Sequence, residues 1–275
     1  MKYDTYESYS DARTRMAESA LLTAWDSLAA YREDLVLVGG LAIRYLTKRV
    51  AAGAADMVTT DVDFGVSLGI SGGQYGSLRD TLRGHGFRWE NRRFQKDFGG
   101  FPIYIDLLTE QPGYTKGTVL VDEGLEVSVV PGIERALANH RIVEVSGRCL
   151  LGVERKVAVK VAEVGPLLVL KLNAFGGPDG RKHPKDVSDV LQLANRYLDG
   201  DEAAVAGFKR ELVEGNAGAK FAQGALRLHF GSVDALGPVS CAAFRLNNRQ
   251  DLPENRDEAA QIRQQCVTLA QVLLA

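Results

Sequence analysis

The sequence predicts an α+β fold, with a mixed-sheet domain over residues 1–164 followed by a helical C-terminal domain over residues 165–275. Three observations carry that prediction. Short apolar runs alternate with stretches of helical periodicity through the first part of the chain, and beyond Gly165 the pattern turns helical throughout. With 275 residues, 45% apolar and 25% charged, the chain can bury a substantial core and has room for two domains.

Taken in order, Leu21, Trp25 and Leu28 share one helical stripe, so residues 12–31 read as an opening amphipathic helix. Leu35-Val36-Leu37-Val38 is a short buried strand that stops at the Gly39-Gly40 turn, and 41–50 reads as a helix ending near Gly53. Residues 61–68 form a second strand, 75–84 a helix, and 87–93 and 102–109 further strands. The runs 119–121, 125–130, 142–145 and 157–161 extend the sheet, with a short helix at 133–139 between them. Helices are then expected at 166–175, 186–198, 203–212, 220–230 and 257–274, the last with Ile262, Cys266, Leu269 and Leu273 on one stripe.

Composition excludes several classes. No apolar run approaches the roughly 20 residues of a membrane span, and the N-terminus lacks a secretory stretch, so the expected location is the cytoplasm. Cys149, Cys241 and Cys266 lack the spacing of a zinc or redox motif and read as packed thiols. A formal net charge of −2 gives no bulk attraction for polyanions. The densest basic patch, from Arg83 to Lys96, interleaves cations with aromatics; it reads equally as a nucleic-acid surface and as a solvated strand pair.

Chemistry is concentrated in three aspartates. Residues two apart on a strand share a face, so Asp61 and Asp63 present two carboxylates side by side, roughly 7 Å apart along the chain. Such a pair is costly unless a cation neutralises it, and hard oxygen donors suit Mg²⁺ or Mn²⁺. Asp106 lies in Ile103-Tyr104-Ile105-Asp106-Leu107-Leu108, apolar enough for a central strand, where a carboxylate also calls for a cation. Three carboxylates on neighbouring strands can hold metal for phosphoryl transfer, and Gly39-Gly40 allows backbone N–H groups to approach phosphate. In the helical half, Lys171 sits in an apolar helix and must snorkel or find an anion; Asp186 can point inward toward it, while Asp189 is as readily a helix-start acid. Arg181, Lys182 and Lys185 can hold a triphosphate or an RNA backbone. The loop from Gly69 to Gly76 lacks phosphate-loop spacing and reads as a connection.

The order Gly-Gly, strand DxD, later strand Asp resembles that of the DNA polymerase β-like nucleotidyltransferase superfamily over residues 34–108. Leu170-Lys171-Leu172-Asn173-Ala174-Phe175, then Arg181, then Lys185-Asp186-Val187-Ser188-Asp189-Val190-Leu191, resembles the signature of AbiEii/AbiGii-type nucleotidyltransferase toxins. The resemblance implies a polymerase-like domain with a helical partner domain, an NTP co-substrate, Mg²⁺, a tRNA acceptor in some members, and a cognate antitoxin. It assigns Gly39 and Gly40 to the phosphate turn, Asp61 and Asp63 to metal, Lys171 to the triphosphate, and Asp186 to the acidic residue after it. Thr59 matches a hydroxyl position that is a phosphorylation control point in some toxins, and Met57 stands where many relatives carry a basic residue. Two alternatives stay open: a nucleotidyltransferase acting on a small molecule of aminoglycoside type, and a nucleotide-binding regulator without turnover.

Overall fold

The computed structural model describes residues 3–48, 57–67, 75–122 and 125–275. The chain is α+β, a nine-stranded mixed sheet with C-terminal helices. It divides into two compact units, one of Asp11–Tyr45 and Thr59–Glu163, the other of Met1–Ser10, Leu46–Val58 and Val164–Ala275.

The sheet lies wholly in the first unit. Its strands are β1 (Leu35–Val38), β2 (Asp61–Val66), β3 (Arg88–Glu90), β4 (Arg93–Phe98), β5 (Phe101–Thr109), β6 (Thr118–Asp122), β7 (Leu125–Val129), β8 (His140–Arg148) and β9 (Glu154–Ala162). The main path runs β3-β4-β5-β2-β1-β9-β8, with β7 paired to β5 and β6 to β7. β2 is therefore central, antiparallel to β1 and parallel to β5. All four residues of β1 are buried, as a continuous apolar run demands when both faces are covered.

Helix α1 (Asp11–Ser27) covers one face of the sheet. Trp25 stacks on Phe64 of β2 with ring centroids 5.9 Å apart, and its indole N–H donates to the Ala158 carbonyl at 2.9 Å. Phe64 and Val62 thus point into the core, which by the two-residue period sends Asp61, Asp63 and Gly65 to the opposite face. There α4 (Ile133–Ala138) packs so closely that a Cβ on Gly65 would lie 3.1 Å from Ile133 Cγ2. The remaining helices of this unit are α2 (Gly39–Leu46) and α3 (Tyr75–Gly84).

The second unit holds α5 (Val164–Gly176), α6 (Pro184–Arg196), α7 (Asp201–Val213), α8 (Ala219–His229), α9 (Leu236–Arg245) and α10 (Arg256–Leu274). α5 is buried on almost every side and packs on α6, α7 and α8. Two glycines let α7 approach: a Cβ on Gly165 would lie 2.5 Å from the Gly207 carbonyl oxygen. Tyr9, Val58 and Phe244 form a small cluster that ties the N-terminal residues to this unit.

Several element boundaries differ from the sequence expectation. Gly39 and Gly40 are already helical, being the first two residues of α2, which ends at Leu46; the expected end near Gly53 lies outside the described residues, as does most of the 69–76 loop. The strand expected over 87–93 breaks at Asn91-Arg92, which form the turn of a β3–β4 hairpin. β8 and β9 run longer than the apolar runs that announced them, because their exposed ends pair with each other. α9 was not foreseen; Gly237 and Pro238 fall in its first turn, where a proline's missing N–H costs nothing. The three cysteines are buried free thiols.

Candidate active site

Strand register assembles the three aspartates. β2 and β5 run parallel with Asp63 directly opposite Asp106, and Asp61 opposite Tyr104. One carboxylate oxygen from each of Asp61, Asp63 and Asp106 lies within 4.8 Å of the others, a grouping that could hold a metal ion. Each is only partly buried.

The Gly-Gly pair borders the same point. Val38, the last residue of β1, pairs with Asp63, so Gly39 starts α2 immediately beside that carboxylate. Its φ of +71° is the left-handed region open to glycine, and a Cβ would lie 1.9 Å from Asp63 Oδ2. A Cβ on Gly40 would lie 2.6 Å from Thr59 Oγ1. Thr59, 2% exposed, donates its hydroxyl to Asp61 Oδ1 at 2.9 Å, while its N–H donates to Thr14 Oγ1 at 3.2 Å. The hydroxyl therefore orients a carboxylate of the cluster. Met57, expected as a departure from a basic residue, is buried.

One member of the cluster carries no sequence signature of its own. Arg93 of β4 grips Asp106 with Nε at 2.9 Å from Oδ1 and Nη2 at 2.6 Å from Oδ2, and reaches Asp61 Oδ2 at 3.7 Å. Its guanidinium lies 3.9 Å from the centre of the Tyr104 ring. Sequence showed Arg93 only as part of a basic run; the β4–β5 register converts it into a counter-ion of the aspartates. Burial pushes the Asp106 carboxyl above its ordinary value, Arg93 opposes that, and the charge of Asp61 adds to it. A donor set of three carboxylates, one of them with its carboxyl held above its ordinary value by burial, fits a hard divalent cation.

Lys171, Arg181, Lys185, Asp186 and Asp189 form a second cluster, within the helical unit. His183 accepts the Lys185 N–H on Nδ1 and Pro184 opens α6, which turns Lys185, Asp186 and Asp189 inward. Lys171 donates to Asp189 Oδ2 at 2.6 Å and lies 3.4 Å from Asp186 Oδ1. Asp189, which the sequence left undecided, is thus the closer partner, and it also takes Lys185 on both oxygens at 2.8 Å. Its signal was the four-residue spacing Lys185 to Asp189 along a helix. Arg181 holds Asp186 through two bonds, 2.7 and 2.8 Å. Burial works to lower the Lys171 ammonium, but Asp189 and Asp186 outweigh it and hold it above its ordinary value. For Asp189 burial works upward, and Lys171 with Lys185 holds the carboxyl below its ordinary value. Lys171, Lys185 and Arg181 are therefore all paired with carboxylates, the Arg181 side chain being 47% exposed.

The family model described as nucleotidyl transferase AbiEii toxin, Type IV TA system, matches residues 20–270, most of the chain. The chain belongs to that family. It is accordingly a nucleotidyltransferase toxin of a type IV toxin–antitoxin system, and the family's chemistry uses an NTP and a divalent cation. A comparison with curated proteins returns no match. The AbiEii match spans both the aspartate cluster and the Lys171 cluster. No helix among the described residues is long and apolar enough to cross a membrane.

Proposed function

We propose that this chain transfers a nucleoside monophosphate from an NTP to an acceptor hydroxyl, the acceptor being the 3′ end of a tRNA. The observation that carries the reading is the convergence of Asp61, Asp63 and Asp106 within 4.8 Å, beside the helix that begins at Gly39. Asp61, Asp63 and Asp106 would hold Mg²⁺ or Mn²⁺, which when bound supplies positive charge to the triphosphate and lowers the pKa of the attacking hydroxyl. Thr59 fixes the Asp61 carboxylate, and Gly39 leaves room for phosphate by having no side chain beside Asp63. Asp106, whose carboxyl burial raises, is also suited to accept the proton of the hydroxyl. In the helical unit, the ion pairs of Lys171 and Lys185 with Asp189 brace the basic segment, and Arg181, held by Asp186 but with its side chain 47% exposed, would contact a phosphate. Under this reading a cognate antitoxin is the chain's partner.

Incubating the full chain with total RNA and each labelled NTP tests the proposal and names the nucleotide. Asp61→Ala or Asp63→Ala should abolish transfer, a loss of several orders of magnitude; full activity in either variant would sink the metal-site reading. Transfer to a small polycationic acceptor but not to RNA would return the choice to the small-molecule alternative.

A further inference from the structure

We propose that the β3–β4 hairpin is a binding arm for the acceptor strand, with Arg92 at its tip and Arg88 at its base each seating a backbone phosphate of single-stranded RNA. The inference rests on the proposed transfer to RNA and adds where that strand lies. It starts from a backbone anomaly. Asn91 and Arg92 form a two-residue hairpin turn with φ of 52° and 62°. Such turns favour Asn followed by Gly, because both residues must be left-handed. Asn91 complies, but an arginine stands where glycine would be free of strain, and left-handed backbone is unfavourable for a long side chain.

Nothing among the described residues offsets that strain. Arg92 is exposed and makes no ion pair among the described residues. Its neighbour Arg93 is clamped to Asp106 and reaches Asp61, so the backbone of the turn adjoins the residue that holds the aspartate cluster. At the other end of β3, Arg88 joins Arg79 and Arg83 of α3 with Phe87 and Trp89 around a cavity of about 410 Å³. The side chains of Arg83 and Arg88 are 60% and 65% exposed, each with one acidic neighbour, Asp80 or Asp97. From Arg79 to Asp97 six basic side chains face three acidic ones, in a chain whose formal net charge is −2. The patch is a local excess of positive charge against that overall balance.

Spacing selects the ligand. Arg88 and Arg92 are separated by on the order of 10 Å of strand, more than one triphosphate group covers and about what two nucleotides of a strand span. A phosphodiester backbone running from the cavity to the hairpin tip would deliver its 3′ end toward the aspartates. A free NTP is too short to bridge the two ends.

The test uses full-length protein and short fluorescent single-stranded RNA with a free 3′ hydroxyl, read by anisotropy across a salt series. Arg92→Gly should weaken RNA binding roughly tenfold, the value of one charge-assisted phosphate contact, and Arg88→Gln should weaken it in the same direction. Each lost contact should flatten the log–log salt dependence by about 0.7. NTP affinity should not change, and the thermal midpoint of Arg92→Gly should equal or exceed that of the parent, because glycine accepts this backbone freely. A purely structural arginine would give unchanged RNA affinity, and that result overturns the arm while leaving nucleotide transfer to RNA intact. Loss of NTP affinity in Arg92→Gly overturns it also. A parent chain that neither binds nor labels RNA overturns the arm together with the RNA reading it stands on.

Discussion

Arg93 offsets part of the negative charge of the acidic cluster. Its two bonds to Asp106 and its approach to Asp61 place one fixed positive charge among three carboxylates. Burial nevertheless leaves the Asp106 carboxyl above its ordinary 3.8. The sign follows: the folded chain holds that proton more tightly than the unfolded one. The resulting stability is complete below 3.8 and lost as pH rises through the folded value. A cation competes with the same proton. Mn²⁺ affinity, measured by calorimetry, should therefore climb as pH rises above 3.8 and level off once Asp106 is ionised. In Arg93→Gln, which removes the opposing charge, the climb should shift to higher pH; a flat profile in both proteins would refute the role given to Asp106. At this scale Asp61, Asp63 and Asp106 were legible because adjacent carboxylates are too costly to be casual. Arg93 was not, since an arginine in a basic run looks alike whether it faces water or an aspartate across a strand.

Among elements, the α5–α6 pair is held by charge as well as by apolar burial. Asp189 receives both Lys171 and Lys185, all three of them buried. Asp189→Asn would leave the buried Lys185 with a neutral partner and Lys171 with only the longer contact to Asp186, at 3.4 Å. The expected cost is about 3–5 kcal/mol, visible as a lowered urea midpoint, and a change under 1 kcal/mol would mean the pairs behave as surface ones. The pH dependence has two edges. Asp189, held below its ordinary value, contributes stability present above 3.8 and lost as pH falls through its folded value. Lys171, held above its ordinary value, contributes stability present below 10.5 and lost as pH rises through its folded value. Periodicity located α5 and α6 within two residues at their starts, whereas α9 escaped because its Leu-Gly-Pro opening carries the marks of a turn. The β3–β4 break escaped too, since Asn-Arg lacks the glycine that announces a hairpin.

On the scale of the whole molecule, the chain leaves and re-enters its units rather than completing one before starting the next. Residues 1–10 and 46–58 belong with the helices, although 165–275 alone was the helical domain expected from periodicity. Tyr9 carries much of that link: it packs edge-on to Phe244 at 6.0 Å, lies 5.6 Å from the Lys185 ammonium, and is 5% exposed. Tyr9→Ala should cost about 3 kcal/mol in thermal or urea unfolding of the full chain, a surprising penalty for a residue so near the terminus; a loss below 0.5 kcal/mol would show the N-terminal segment to be merely laid on. By itself the sequence determined the fold class, the buried strands, the helical half and the three aspartates. Each of these is written in local periodicity or in the price of placing charge in an apolar run. Tertiary structure alone decided which strands are neighbours, and with them the pairing of Asp63 with Asp106, the grip of Arg93, the choice of Asp189 over Asp186 for Lys171, and the return of the N-terminus to the helices. Those are contacts between residues far apart along the chain or across a helix face, and register and rotation, not residue type, bring their atoms together.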